Sequence, residues 1–135
     1  MIPARMLTFG LFALGGILLC GCQQRPTALN HVSGKVLYHG TTLAEGLIVF
    51  TPDTTKGESG KIAYGTIAND GTYTLRTEGA DGATAGWYRV TVASMAGSST
   101  YGSSFLPEKY REPQCSLLQC EVKPNCDNHL DFNLD

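Results

Sequence analysis

The stretch Trp87-Tyr88-Arg89-Val90-Thr91-Val92-Ala93-Ser94-Met95 decides the fold. Tyr88, Val90 and Val92 fall on one side of it, and Arg89, Thr91 and Ala93 on the other. A period of two fits extended backbone, whose successive side chains point to opposite faces. A strand is therefore expected over residues 87–95, with its tyrosine and valines against a core.

The same period recurs on the N-terminal side. Val32, Gly34, Val36 and Tyr38 share one face, opposite Ser33, Lys35, Leu37 and His39, and Leu43 returns to the core after a turn at residues 39–42. A second strand is expected at 47–51, with Ile48 and Phe50 inward, and Pro52 ends it. Residues 53–60 read as a polar loop with no apolar residue. A third strand at 61–68 places Ala63, Gly65 and Ile67 together. Asn69-Asp70-Gly71 then signals a hairpin, since these residues tolerate positive φ, and the return strand at 72–77 turns Tyr73 and Leu75 inward. A Gly/Ala-rich connection fills 78–86.

On the C-terminal side, 96–104 is small and polar, and 105–113 forms a crossover with room for one helical turn. A second hairpin is expected to close the chain. Leu118, Cys120 and Val122 face inward on 116–123, residues 124–128 turn, and Leu130, Phe132 and Leu134 face inward on the last strand. Seven short strands with frequent turns indicate an all-β fold, a seven-stranded antiparallel β-sandwich. No window is long enough for the helical crossovers of a parallel sheet.

The N-terminus is of another kind. Arg5 precedes an uncharged run from Met6 to Leu19, and the chain turns polar at Gln23-Gln24-Arg25-Pro26. These are the parts of a secretory signal peptide, and the run is short of the roughly 20 apolar residues that span a bilayer. Leu19-Cys20-Gly21-Cys22 resembles the lipobox of bacterial lipoproteins. The resemblance implies a cut after Gly21 and acyl chains, palmitate among them, on Cys22. Cys20 fits that place less well, because bulky Leu19 would precede the cut. The expected organisation is a signal peptide at 1–21, a lipidated tether at 22–30 and one domain at 31–135. The protein is then exported and held at the periplasmic or surface face of a bacterial membrane.

The chain has 10 Lys and Arg against 12 Asp and Glu, a net charge of −2. Losing residues 1–21 removes only Arg5 and makes that −3. Such a balance excludes the clustered basic face of a nucleic-acid partner and any electrostatic route to anionic lipid.

Within residues 31–135 the chain resembles carboxypeptidase regulatory-like domains. The similar stretches are Val32-Ser33-Gly34-Lys35-Val36, Gly46-Leu47-Ile48-Val49-Phe50-Thr51-Pro52, Asn69-Asp70-Gly71-Thr72-Tyr73-Thr74-Leu75 and Gly86-Trp87-Tyr88-Arg89-Val90-Thr91-Val92. Leu106-Pro107-Glu108-Lys109-Tyr110 and the last strand are similar to small secreted lipoproteins of planctomycetes. What the resemblance implies is a transthyretin-like (prealbumin-like) sandwich with no catalytic motif to transfer.

Several chemical readings compete. Cys115, Cys120, Cys126 and His129 suggest a Cys₃His zinc site, which the strand pattern opposes by turning Cys120 inward and His129 outward. A disulfide is usual in an exported chain, but Cys115 and Cys126 are expected at opposite ends of a strand, too far apart to bridge. Cys120 is expected as a free core thiol. The transthyretin fold also includes 5-hydroxyisourate hydrolase, yet this chain ends Phe132-Asn133-Leu134-Asp135 and lacks that family's C-terminal Tyr-Arg-Gly-Ser. His31, His39 and His129 read as turn or strand-edge residues. An isopeptide bond between Lys35 and Asn133 is opposed by the outward direction of both and by the lack of an acid on the fifth strand. Trp87, Tyr101 and Tyr110 are candidates for stacking on sugar rings, against a plainer reading in which Trp87 flanks a strand and Tyr110 packs the crossover.

The sequence thus points to a non-enzymatic, lipid-anchored structural or adhesion/binding module without cofactor or metal. Its partners are expected to be the membrane and an envelope protein or glycan. A carbohydrate-binding module is the alternative, with a degenerate transthyretin-like hydrolase behind it.

Overall fold

The computed structural model describes residues 28–94 and 106–135. The 19–22 stretch, Tyr101 and the 96–104 segment lie outside the described residues. Alternating apolar residues form strands β1 (Val32–Tyr38), β2 (Gly46–Pro52), β3 (Ala63–Ile67), β4 (Thr72–Thr74), β5 (Gly86–Ser94), β6 (Gln119–Val122) and β7 (Phe132–Leu134). Two-residue strand pieces and two 3₁₀ turns, Thr54–Lys56 and Glu108–Tyr110, connect them. The second of these turns lies in the expected crossover.

The fold is all-β. One six-stranded antiparallel sheet runs β6, β5, β2, β3, Arg76–Thr77 and Ala80–Asp81. Its centre is the long pairing of β5 with β2, from Tyr88 opposite Pro52 to Ser94 opposite Gly46. The other sheet is built on β1, which pairs antiparallel with β4 and Thr41–Thr42 on one side. On its other side β1 pairs in parallel with Asn128–His129 and β7.

Two expectations are corrected here. The last strand is parallel to β1, so the sandwich is not antiparallel throughout. Nor is the C-terminal segment a hairpin: β6 pairs with β5 in the first sheet, whereas β7 pairs with β1 in the second. The turn between them crosses the core's edge, held by Asn128, whose side chain accepts from Lys123 N–H at 2.8 Å and donates to Lys123 and Cys126 carbonyls. Asn69-Asp70-Gly71 makes its turn, with Gly71 at φ +82°. Its flanking strands nevertheless part, β3 into the first sheet and β4 into the second. Only Tyr64 opposite Arg76 completes a pairing between the two arms.

The inward faces read from the sequence close one core. Val32, Val36, Ile48, Phe50, Leu75, Val90 and Val122 are fully buried, with Tyr38, Leu118, Cys120 and Leu130 packed against them. Thr91 departs from its outward expectation and is buried. The crossover packs along β5 there, with Val90 N–H donating to Leu118 carbonyl at 2.9 Å and Ser116 Oγ donating to Val90 carbonyl.

Gly34 is the tightest point of the second sheet. A Cβ there would lie 1.8 Å from the Leu130 carbonyl oxygen and 2.9 Å from the Tyr73 hydroxyl, which itself donates to that carbonyl. No side chain fits without moving backbone. Gly34→Ala is therefore expected to destabilise the domain by about 3 kcal/mol, the upper end of ordinary overpacking costs. A urea midpoint within experimental error of the parent would contradict this packing.

Candidate functional site

The loop after β2 looks featureless in sequence, yet it is clasped onto the start of β5. Asp53 N–H donates to Trp87 carbonyl at 2.9 Å, and Trp87 N–H donates to Glu58 Oε1 at 3.1 Å. Lys56 Nζ stands 4.3 Å over the Trp87 ring. Gly57, at φ +77°, supplies the left-handed residue that ends the 3₁₀ turn.

Asp53 is the centre of this clasp. It caps the turn: its Oδ1 accepts from Thr55 N–H at 3.0 Å and from Thr55 Oγ1 at 2.6 Å. The same oxygen takes the Nε–H of Arg89 at 3.4 Å. Asp53 is 1% exposed, and its Oδ2 has no hydrogen-bond partner. A cavity of about 410 Å³ lies beside it, lined in part by Thr51, Thr54, Arg89, Pro113 and Gln114. A buried carboxylate oxygen is costly unless a donor meets it, and no protein group does so here.

Other cavities offer less. The one of about 440 Å³ near Leu29 has its charges, Lys61 and Glu78, paired with each other. Its Thr77 and Thr84 hydroxyls are engaged with Gly82 carbonyl and Tyr88.

The sequence candidates do not converge. Trp87 lies in β5 opposite Glu121, half-buried, with Lys56 over its ring. Tyr110 is 5% exposed, packs the crossover, and donates its hydroxyl to the Asp135 side chain at 2.7 Å. Tyr101 lies outside the described residues, as does Cys22. His31, His39 and His129 are exposed, and two of them approach acids, His31 with Asp127 at 3.8 Å and His129 with Asp131 at 3.2 Å.

Cys115, Cys120 and Cys126 are free thiols. Burial pushes the Cys120 thiol up to about 12, which makes it a poor nucleophile and ligand near neutrality. Among the described residues no three His, Cys, Asp or Glu side chains gather as a metal site would need. No helix of the described residues is long and apolar enough to cross a membrane.

No protein-family model matches the chain, and no curated protein or solved structure matches it.

What sequence reasoning missed is the burial of Asp53 and its contact with Arg89. The Asp-x-Thr turn was legible, because Asp70-Gly71-Thr72 makes the same contacts, 3.1 Å to the N–H and 2.6 Å to the hydroxyl. Asp70 is exposed whereas Asp53 is buried, a difference set by packing against β5.

The Asp53 carboxyl is held below the usual carboxylate range. The Thr55 hydroxyl contributes most, and the Thr55 N–H and Arg89 add to it against the opposing effect of burial. A folded-state pKa below the unfolded value of about 3.9 contributes stability that is complete above that value. The contribution is lost as pH falls through the lower folded pKa. Asp53→Asn should thus be markedly less stable than the parent at pH 7, and the gap should shrink toward pH 2. Denaturation midpoints at pH 7, 4 and 2 measure it; a gap independent of pH would show that Asp53 contributes nothing through its charge.

Proposed function

We propose that the chain is an exported lipoprotein whose single domain is a non-catalytic structural or adhesion/binding module at a bacterial envelope. The observation behind this reading is Leu19-Cys20-Gly21-Cys22 at the end of an uncharged run. Cleavage before Cys22 and a diacylglyceryl group on its sulfur anchor the chain, at about 0.8 kcal/mol per buried CH₂. Two acyl chains hold stably where one gives only reversible binding. The mildly acidic domain adds no attraction to anionic lipid, so the acyl chains alone secure it.

Between Cys22 and Leu29, where the first strand piece begins, seven residues reach at most about 25 Å. The module therefore sits close to the membrane surface. We read its type as the seven-stranded, transthyretin-like sandwich of carboxypeptidase regulatory-like domains, in keeping with the turn glycines and alternating strands that carry the resemblance. A binding role rather than catalysis is in keeping with that resemblance, which brings no catalytic motif to transfer. Glycan is the second partner class, favoured by the cavity beside Asp53.

Cys22→Ser is expected to abolish lipid attachment, leaving the protein unprocessed or moving it from the membrane to the soluble fraction. Fractionation with metabolic acyl labelling reads this directly. A variant that remains processed, labelled and membrane-bound would place the anchor elsewhere.

A further inference from the structure

Asp53 Oδ2 needs a donor, and the cavity beside it restricts what can bring one. Arg89 approaches Asp53 at 3.4 Å and offsets its charge, so the site is close to neutral. An anion would meet the carboxylate, and a cation the guanidinium. An extended peptide would bind by adding to a strand edge. Arg89 is paired on both sides, with Thr51 and Gln119, and the β2 edge left beyond Phe50 is two residues long and ends in Pro52, which has no N–H to give. The remaining class is a neutral molecule that both donates and accepts.

The lining matches such a molecule. The Thr51 and Thr54 hydroxyls and the Gln114 amide each donate and accept, while Pro52 and Pro113 present apolar rings. A volume of about 410 Å³ falls within the ordinary range of small-ligand sites. We propose that this cavity is a saccharide site taking one neutral sugar ring, with a hydroxyl donating to Asp53 Oδ2 and sugar oxygens accepting from Arg89.

Oδ2 is buried, so a sugar hydroxyl reaches it only with local movement of the lining, for which the Arg89 side chain on Oδ1 is the candidate. The present contact suits that exchange. At 3.4 Å it is longer than the roughly 2.7–2.9 Å of a strong charge-assisted bond, and the Arg89 side chain is 26% exposed. The site uses neither the Trp87 nor the Tyr110 ring, and it does not depend on the anchor.

The test uses the full-length protein in detergent on an array of neutral glucans, mannans, galactans and N-acetylated glycans, followed by calorimetric titration with the best-retained oligosaccharide. Arg89→Gln and Asp53→Asn should each weaken binding by about tenfold or more, as expected for losing a charge-assisted hydrogen bond. Gln114→Ala, at the cavity rim, should weaken it by several-fold with an unchanged melting curve, which separates lost recognition from lost folding. Cys22→Ser should bind as the parent does, so that failure of the anchor would leave this result intact. The proposal is overturned if no neutral glycan is retained. It is also overturned if acidic glycans or peptides bind in preference, or if binding survives both Arg89→Gln and Asp53→Asn.

Discussion

Everything in this domain is arranged around the ring of Phe50. It is fully buried, 5.8 Å from the Tyr88 ring, 5.9 Å from Phe132 and 6.3 Å from Tyr73. Those partners come from β5, β7 and β4, so one side chain of β2 contacts both sheets. Phe132 meets it edge-on at an interplanar angle of 80°, an arrangement aromatic quadrupoles favour. The valines, isoleucines and leucines around this cluster fill the space that the rings leave. Register is thereby set, since a slip of one residue in any of the four strands would turn its aromatic ring out to solvent.

That dependence explains which parts of the fold were legible. A period of two states which face of a strand is buried, and the inward residues from Val32 to Leu134 follow it, with Thr91 as the exception. It does not state which strand lies alongside. Asn69-Asp70-Gly71 specifies a tight turn, but Tyr73 must reach both Phe50 and the Leu130 carbonyl, which draws β4 across to the second sheet. The end of the chain behaves likewise. Leu118 to Val122 and Phe132 to Leu134 alternate in the same way, and only the parallel fit of β7 against β1 reveals that they belong to different sheets.

The Asp53 clasp was illegible for a related reason. Composition marks residues 53–60 as polar, and polar residues are usually solvated. Here the loop is folded back on β5 by main-chain bonds to Trp87, so a carboxylate that could have stayed in water is buried beside Arg89. Burying such a pair is seldom favourable unless its remaining hydrogen-bonding capacity is met. Oδ2 is the one side-chain oxygen or nitrogen among the described residues that is buried without a partner. Elsewhere charge is handled cheaply, in exposed pairs such as Arg76 with Asp81 at 3.1 Å. The contrast separates the exposed pairs, which keep their water, from Asp53, whose second oxygen has no protein donor.

In the function proposed, the residues before the first strand place the domain at a membrane. The most direct measurement is the mass of the N-terminal peptide from the protein purified out of its own membranes. The account predicts a peptide beginning at Cys22 and carrying a diacylglyceryl group. A peptide that begins at Met1, or one that begins at or after Cys22 without lipid, would contradict it.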